Sequence, residues 1–292
     1  MSSLVFVRIF KSIKRAIAGA LMASAIAVPC FAQMPARVVS MNLCTDQLAM
    51  MLAAEGQLVS VSRIALDPHV SAMAAEAAAY PINAGRAEEV HVLRPDVVLA
   101  SRYSSWETVA LLRRLGIEVV QFDIVQSLDD VAGMITQMGV ALGREANAAK
   151  MAAAFEADLA ALRADLADQA PQDMPRAALY YANGYTSGDS SLAGEILAAA
   201  GLRNAPAEAG YTWGKLPLEM LAMIAPDVMI TARRYPGGSR AEAIMDHPAI
   251  GSLRGTSTAA ALTDHDWVCG TPFLLRAIGD MVKARRAAEG DG

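Results

Sequence analysis

The block EEVHVLRPDVVLASRY, from Glu88 to Tyr103, is echoed in EMLAMIAPDVMITARRY, from Glu219 to Tyr235, at an offset of 131 residues. Each copy sets a glutamate at the head of an apolar helical patch, then Pro-Asp, a run of apolar residues, and finally arginine and tyrosine. Proline pushes the residue before it out of the helical region, so the helix has to stop at that joint. DVVLAS and DVMITA are apolar at successive positions, as strands of a parallel sheet with both faces covered are. A helix that hands over to such a strand twice points to two similar α/β lobes. The alternative is chance recurrence of a common joint.

The rest of the chain supports the two-lobe organisation. Residues 37–63, RVVSMNLCTDQLAMMLAAEGQLVSVSR, read as strand, loop, helix and strand, with Val38 and Val39 opening the first strand. Thr45 or Asp46 can cap that helix, and Gly56 suits the position just past its end. An Ala-rich helix follows the loop IALDPHVS, and Gly85 permits a turn before the Glu88 helix. After Ser101 come a helix at SWETVALLRRLG, the strand IEVVQFD and a helix at SLDDVAGMITQMGVALG. Residues 144–169 then form one long helix with Met151, Phe155, Leu159 and Leu162 on a stripe, broken at APQDMP. A strand restarts at Arg176, 139 residues after the one at Arg37, and the second half ends with a short helix at RAEAIMDHP and a strand and helix around DWVCGTPFLLRAIGDMVKARR. The expected division is a segment 1–32, an N-terminal α/β lobe at 36–143, a linking helix at 144–170 and a C-terminal α/β lobe at 175–288. Both lobes are expected to be Rossmann-like, with parallel sheets and a ligand cleft between them.

Residues 1–32 read as a cleaved export signal: Arg8, Lys11, Lys14 and Arg15 precede an uncharged stretch, and CFA offers small residues for cleavage after Ala32. A retained anchor is the alternative, although Pro29, Gln33 and Pro35 interrupt the apolar run. Pro29 before Cys30 disfavours a lipoprotein. Losing the signal removes four positive and no negative charges, which takes the formal balance from −5 to −9. An acidic chain without clusters of Lys or Arg is a poor partner for nucleic acid. Cys44 and Cys269 then remain in an oxidising compartment, either bonded to each other or as buried thiols.

Catalytic signatures are missing. Neither a P-loop nor a G-x-G-x-x-G after a strand occurs, and the serine of GYTSG is misplaced for a nucleophile elbow. The four histidines, His69, His91, His247 and His265, are scattered. DHDW, with Asp264, His265 and Asp266, offers one or two metal ligands, and Asp46, Asp67 and His69 are the nearby candidates from the first lobe, a thin set for a bare-metal site. No catalytic residues, metal ligands or resident cofactor are expected. What remains is a group of loops at the carboxyl ends of the strands, where α/β folds bind ligands. They carry Asn42, Thr45, Arg63, Arg102, Tyr103, Trp106, Tyr181, Tyr185, Trp213, Arg233, Tyr235 and Trp267. Aromatic residues are only 5% of the chain, yet all three tryptophans fall in or near these loops. Ring faces beside guanidinium planes suit a large, flat, partly anionic small molecule. Each of these rings taken singly is as readily packed against its own lobe.

Over most of the mature chain these segments resemble the periplasmic substrate-binding proteins of ABC importers for iron–siderophore complexes and cobalamin. The likeness rests on RVVSMNLCTDQLAMML, AEEVHVLRPDVVLAS, the long helix and LEMLAMIAPDVMIT. It implies a periplasmic, non-enzymatic, monomeric protein of two α/β lobes joined by a long helix, delivering its ligand to an inner-membrane permease. It also implies that one surface glutamate per lobe, Glu88 and Glu219, docks onto permease arginines; a first-turn glutamate favoured by the helix dipole is the plain alternative. Arg86, Tyr103, Trp213 and Trp267 sit where hydroxamate-siderophore binders place an arginine, a tyrosine and tryptophans. Tyr185, Trp213 and Asp266 beside Trp267 resemble positions lining a cobalamin cleft. Arg86 and Arg102 stand where cobalamin binders have more aromatic surface, and guanidinium groups donate strong hydrogen bonds to chelate oxygens, so a ferric siderophore is placed ahead of cobalamin. Direct Zn or Mn capture and an exported enzyme or chelatase using DHDW are the more distant alternatives.

Overall fold

The two Pro-Asp joints make matching sets of bonds. In the first, the Arg37 amide donates to Asp96 Oδ2 at 2.9 Å and its guanidinium donates to Leu93 O at 2.7 Å. In the second, the Arg176 amide donates to Asp227 Oδ2 at 2.7 Å and its guanidinium to Ile224 O at 3.0 Å. The residue before each proline is left-handed, Arg94 with φ 49° and Ala225 with φ 44°. The echo in the sequence is therefore an echo in three dimensions, down to an uncommon backbone conformation.

The computed structural model describes residues 34–166, 169–235, 237–262 and 264–290, so the expected export segment lies outside the described residues. In the first half, strands β1 (Val38–Ser40), β2 (Leu58–Ser62), β3 (Ile82–Asn83), β4 (Val97–Ser101) and β5 (Glu118–Phe122) form a parallel sheet in the order β3-β2-β1-β4-β5. The connecting helices are α1 (Leu43–Leu52), α2 (Ala74–Ala77), α3 (Ala87–Val92), α4 (Trp106–Arg114) and α5 (Asp130–Leu142). The long helix α6 (Glu145–Ala164) follows. In the second half, β6 (Arg176–Tyr180), β8 (Arg203–Asn204), β10 (Val228–Ala232) and β11 (Thr258–Leu262) form a parallel sheet in the order β11-β10-β6-β8. A small antiparallel pair, β7 (Tyr185–Ser187) with β9 (Trp213–Lys215), stands apart from it. The helices of this half are α7 (Leu192–Ala199), α8 (Ala205–Glu208), α9 (Leu218–Ile224), α10 (Pro248–Thr256), α11 (Asp264–Trp267) and α12 (Leu274–Glu289).

Alternation along the strands distributes them between cores. Val97 and Leu99 of β4 enter one apolar cluster and Val98 and Ala100 enter another; Ala177 and Leu179 of β6 share the first cluster, while Ala178 and Tyr180 enter a third. The shared cluster runs through both halves and includes Ala148, Ala152, Phe155 and Leu159 of α6. Each sheet thus has one face in a common central core and one in a core of its own. A continuous core leaves little freedom for the lobes to swing apart. Gly139 of α5 is needed for the close approach of α5 to α6, since a Cβ there would collide with the Ala148 methyl.

Several local expectations are corrected. Asn42 caps α1, its Oδ1 accepting from the Cys44 amide, because Thr45 and Asp46 are turned inward to other partners. The helix ends at Leu52, so Gly56 (φ 74°) serves the turn into β2 and not the cap. The buried stripe of α6 is Ala148, Ala152, Phe155 and Leu159, with Met151 and Leu162 only half-buried at its side. RAEAIMD is a 3-10 helix, and the last strand is TAAAL, paired with β10 over five residues, while DHDW is the helix α11. The loop after β6 hides the strand β7, too short and polar for a period-two pattern to reveal.

Candidate functional site

In an open parallel sheet, the crevice for a ligand opens where successive connections leave for opposite sides, at the carboxyl ends of the strands. In the first sheet that point lies between β1 and β4, which puts Asn42 and Thr45 beside Ser101 and Tyr103. In the second it lies between β6 and β10, which puts the Tyr181–Tyr185 loop beside Arg233–Tyr235. Two contacts bring the carboxyl edges to face each other. The imidazole of His69, in the loop after β2, stacks on the ring of Tyr235, after β10, with centroids 4.7 Å apart and planes 22° from parallel. Cys44, at the start of α1, is bonded to Cys269, between α11 and α12, which settles the choice between a disulfide and separate thiols.

A cavity of about 280 Å³ occupies the first switch point. Asn42, Thr45, Ser101 and Tyr103 form one side of it; Phe122, Val125 and Val268 make it apolar, and Cys44 and Gly270 bring the disulfide region to its wall. Tyr103 is 70% exposed, so most of its ring face is open to a ligand. Its amide donates to Ser101 Oγ at 3.2 Å, which holds the turn that presents it. Arg102 is exposed and pairs with Asp123 at 3.0 Å, where the Coulomb gain is weakened by water but the guanidinium is oriented.

His69 is held by Asp67, whose Oδ1 accepts from the His69 amide at 2.9 Å and lies 3.2 Å from Nδ1. The Tyr235 amide donates to Glu242 Oε1 at 3.2 Å. Both rings of the stacked pair are thus carried on loops fixed by carboxylates. In α1 Asp46 is fully buried, its oxygens accepting from the amide and hydroxyl of Ser62. Burial pushes its carboxyl up to about 6, and the Ser40 and Ser62 bonds only partly oppose that.

Of the residues expected in the cleft, Asn42, Thr45 and Tyr103 meet at the cavity, and Tyr235 meets His69 across the gap. Thr45 is buried and committed to Ser40 and Asn42. Arg63, Arg86 and Arg233 are exposed on segments leaving the carboxyl edges, Trp213 is exposed at the head of β9 and Tyr185 is half-exposed at the head of β7, but none of these lines the cavity. Asp266 and Trp267 are turned inward: Asp266 accepts from the Arg276 guanidinium at 3.0 Å and lies 3.3 Å from His265, and Trp267 belongs to the central core. A ring packed on both faces has none to offer a ligand. The segment after β5 was overlooked in the sequence. Asp123, Ile124 and Val125 sit at a carboxyl edge like the other loops, and that position was the available signal. Glu88 and Glu219 are exposed on α3 and α9, as expected of docking residues but equally of any first-turn glutamate. Among the described residues no three His, Cys, Asp or Glu side chains come together to hold a metal ion, and no helix is long and apolar enough to cross a membrane.

Comparison with known proteins gives a consistent picture. The family described as periplasmic binding protein matches residues 38–258. The periplasmic heme-binding protein RhuT from Roseiflexus sp. RS-1, solved in apo form, is similar at 25% identity and a TM-score of 0.70, covering 86% of this chain and 98% of that one. A periplasmic heme-binding protein from Pseudomonas aeruginosa is 21% identical with a TM-score of 0.64, covering 87% of this chain and 92% of its own. The periplasmic vitamin B12-binding protein BtuF of Vibrio cholerae is 19% identical with a TM-score of 0.64, covering 87% and 98%. No curated protein matches the chain.

Proposed function

We propose a function from one premise: the chain belongs to the periplasmic binding protein family. It is a substrate-binding protein of the ABC-importer kind and not an enzyme. On our reading it is exported through the signal at residues 1–32 and works as a monomer. It holds a metal chelate of the tetrapyrrole class, a flat macrocycle with anionic or amide side chains, and hands it to an inner-membrane permease.

The observation that carries this reading is exposed aromatic surface: Tyr103, on the cavity wall, is 70% exposed, Trp106, at the start of α4, is 73% exposed, and Trp213, at the head of β9, is 83% exposed. A macrocycle covers such faces, whereas the compact shell of a ferric hydroxamate covers little of them. Phenol and imidazole are also side chains of the kind that iron in a porphyrin accepts, and the stacked His69–Tyr235 pair spans the gap between the carboxyl edges. The exposed guanidinium groups of Arg102 and Arg233 suit carboxylate or amide side chains of such a ligand. Similarity to heme- and B12-binding proteins supports the same class.

A ferric siderophore is the second reading, favoured by the exposed guanidinium groups of Arg63, Arg86 and Arg102 at one edge. Titration of the mature protein with ferric protoporphyrin, cobalamin and a ferric hydroxamate, followed by tryptophan fluorescence, separates them. Saturable quenching by a tetrapyrrole at micromolar concentration is expected. Quenching by the hydroxamate alone would replace the first reading with the second.

A further inference from the structure

The segment between α11 and α12 is fixed on both sides of a single residue. Trp267 is buried in the central core, Cys269 is bonded to Cys44 of α1, and Gly270 lies so close to Val125 that a Cβ there would collide with the valine side chain. Asp266, one residue earlier, is buried and accepts from the Arg276 guanidinium at 3.0 Å. Val268, in the middle, is left open: it is 50% exposed and lines the cavity of about 280 Å³ at the first switch point. Among the described residues lining that cavity, Val268 and Gly270 come from the second half of the chain and all others from the first. The second lobe thus closes a cavity that the first lobe builds, and it does so with an aliphatic side chain on a rigid mount.

The chemistry of the wall is one-sided. Phe122, Ile124, Val125 and Met134 supply apolar surface from the first half, and the one charged side chain among the described lining residues is Asp123, whose partner Arg102, at 3.0 Å, does not line the cavity. A carboxylate pushed in here would lose its hydration beside another carboxylate without gaining a cation. The volume falls just short of the range usual for a whole small-molecule site, about 300–1,000 Å³, so the cavity takes an edge of a macrocycle and not the entire ring. We infer that Val268 is a specificity-determining residue: carried by the second lobe and pinned by the disulfide, it completes an apolar wall that admits the alkyl-substituted edge of a tetrapyrrole and turns a carboxylate-bearing edge outward. This narrows the tetrapyrrole reading given above and rests on it.

The test is absorption titration of the mature, disulfide-bonded protein with ferric protoporphyrin, whose carboxylates share one edge, and with ferric uroporphyrin, which carries them on every edge. The parent is expected to bind the first more tightly by about tenfold or more. Val268→Ala should weaken protoporphyrin binding about fivefold by removing apolar contact, and Val268→Lys should narrow the preference about tenfold by setting a cation in the wall. The thermal midpoint should stay unchanged in both variants, because Val268 is already half in water. Equal affinity of the parent for the two porphyrins, or affinities that neither substitution alters, would overturn the role of Val268 and leave the tetrapyrrole reading standing. Binding of neither porphyrin would overturn both.

Discussion

His69 and Tyr235 stack ring on ring across the gap between the two carboxyl edges, 4.7 Å from centroid to centroid. The pair joins the loop after β2 to the loop after β10 without belonging to any apolar core cluster, so its worth is local, about 0.5–1.5 kcal/mol for such a contact. Replacing either ring by alanine is therefore expected to leave the global thermal midpoint nearly unchanged. Affinity for the bound chelate should fall by roughly tenfold, because a macrocycle entering the cleft loses a ring face or an axial donor. The double variant should be little worse than either single one, since the rings act together. Affinity unchanged from the parent in all three variants would remove this pair from the site.

Cys44–Cys269 closes a loop with a sequence separation of 225 residues and ties the start of α1 to the segment before α12. Constraining so long a loop in the unfolded chain contributes on the order of 2–4 kcal/mol. Denaturant unfolding of the Cys44→Ala, Cys269→Ala variant should show a loss of that size. The cavity wall includes Cys44, so ligand affinity should fall as well. A variant as stable as the parent would mean that the common core alone sets the geometry of the two edges.

Asp46 gives a pH dependence of definite sign. Its carboxyl is raised from 3.8 to about 6 chiefly by burial, so the folded protein holds the proton more tightly than the unfolded chain. The stability this contributes is fully present below about pH 4 and is lost as pH rises through about 6, an amount of roughly 3 kcal/mol. Asp46→Asn keeps an acceptor for the Ser62 amide without the charge. Its stability relative to the parent should therefore climb by about that amount between pH 4 and pH 7 in paired unfolding curves. A constant difference across the range would show that Asp46 is not buried as an isolated carboxyl.

Much of the fold was legible because the chain writes it twice. Pro95 and Pro226 stop helices and the apolar runs after them demand parallel strands, so β4 and β10 were placed from pattern alone. What stayed illegible depends on long-range packing. TAAAL has no β-branched apolar run and becomes a strand because β10 supplies its partner, while WVCG, apolar and short, looks like a strand and is spent on the end of α11 and the disulfide turn. The site divides in the same way. Tyr103 and Tyr235 were found by their position after strands. Trp267 also follows a strand, but three residues of helix rotate it into the core. Ile124, 55% exposed, and Val125, a member of the central core, both reach the cavity from the segment after the edge strand β5, a position that apolar pattern does not reveal. The ligand order set by the arginines, siderophore first, gives way in our reading to a tetrapyrrole because exposure of the rings is a property of the fold.

The central claim is that this cleft holds a flat metal chelate, and absorption spectroscopy of the mature protein with ferric protoporphyrin tests it most directly. The account predicts a saturable one-to-one shift of the Soret band, altered in Tyr235→Phe, His69→Ala or both. A spectrum indistinguishable from free ferric protoporphyrin at every protein concentration, with cobalamin also failing to bind, would contradict it.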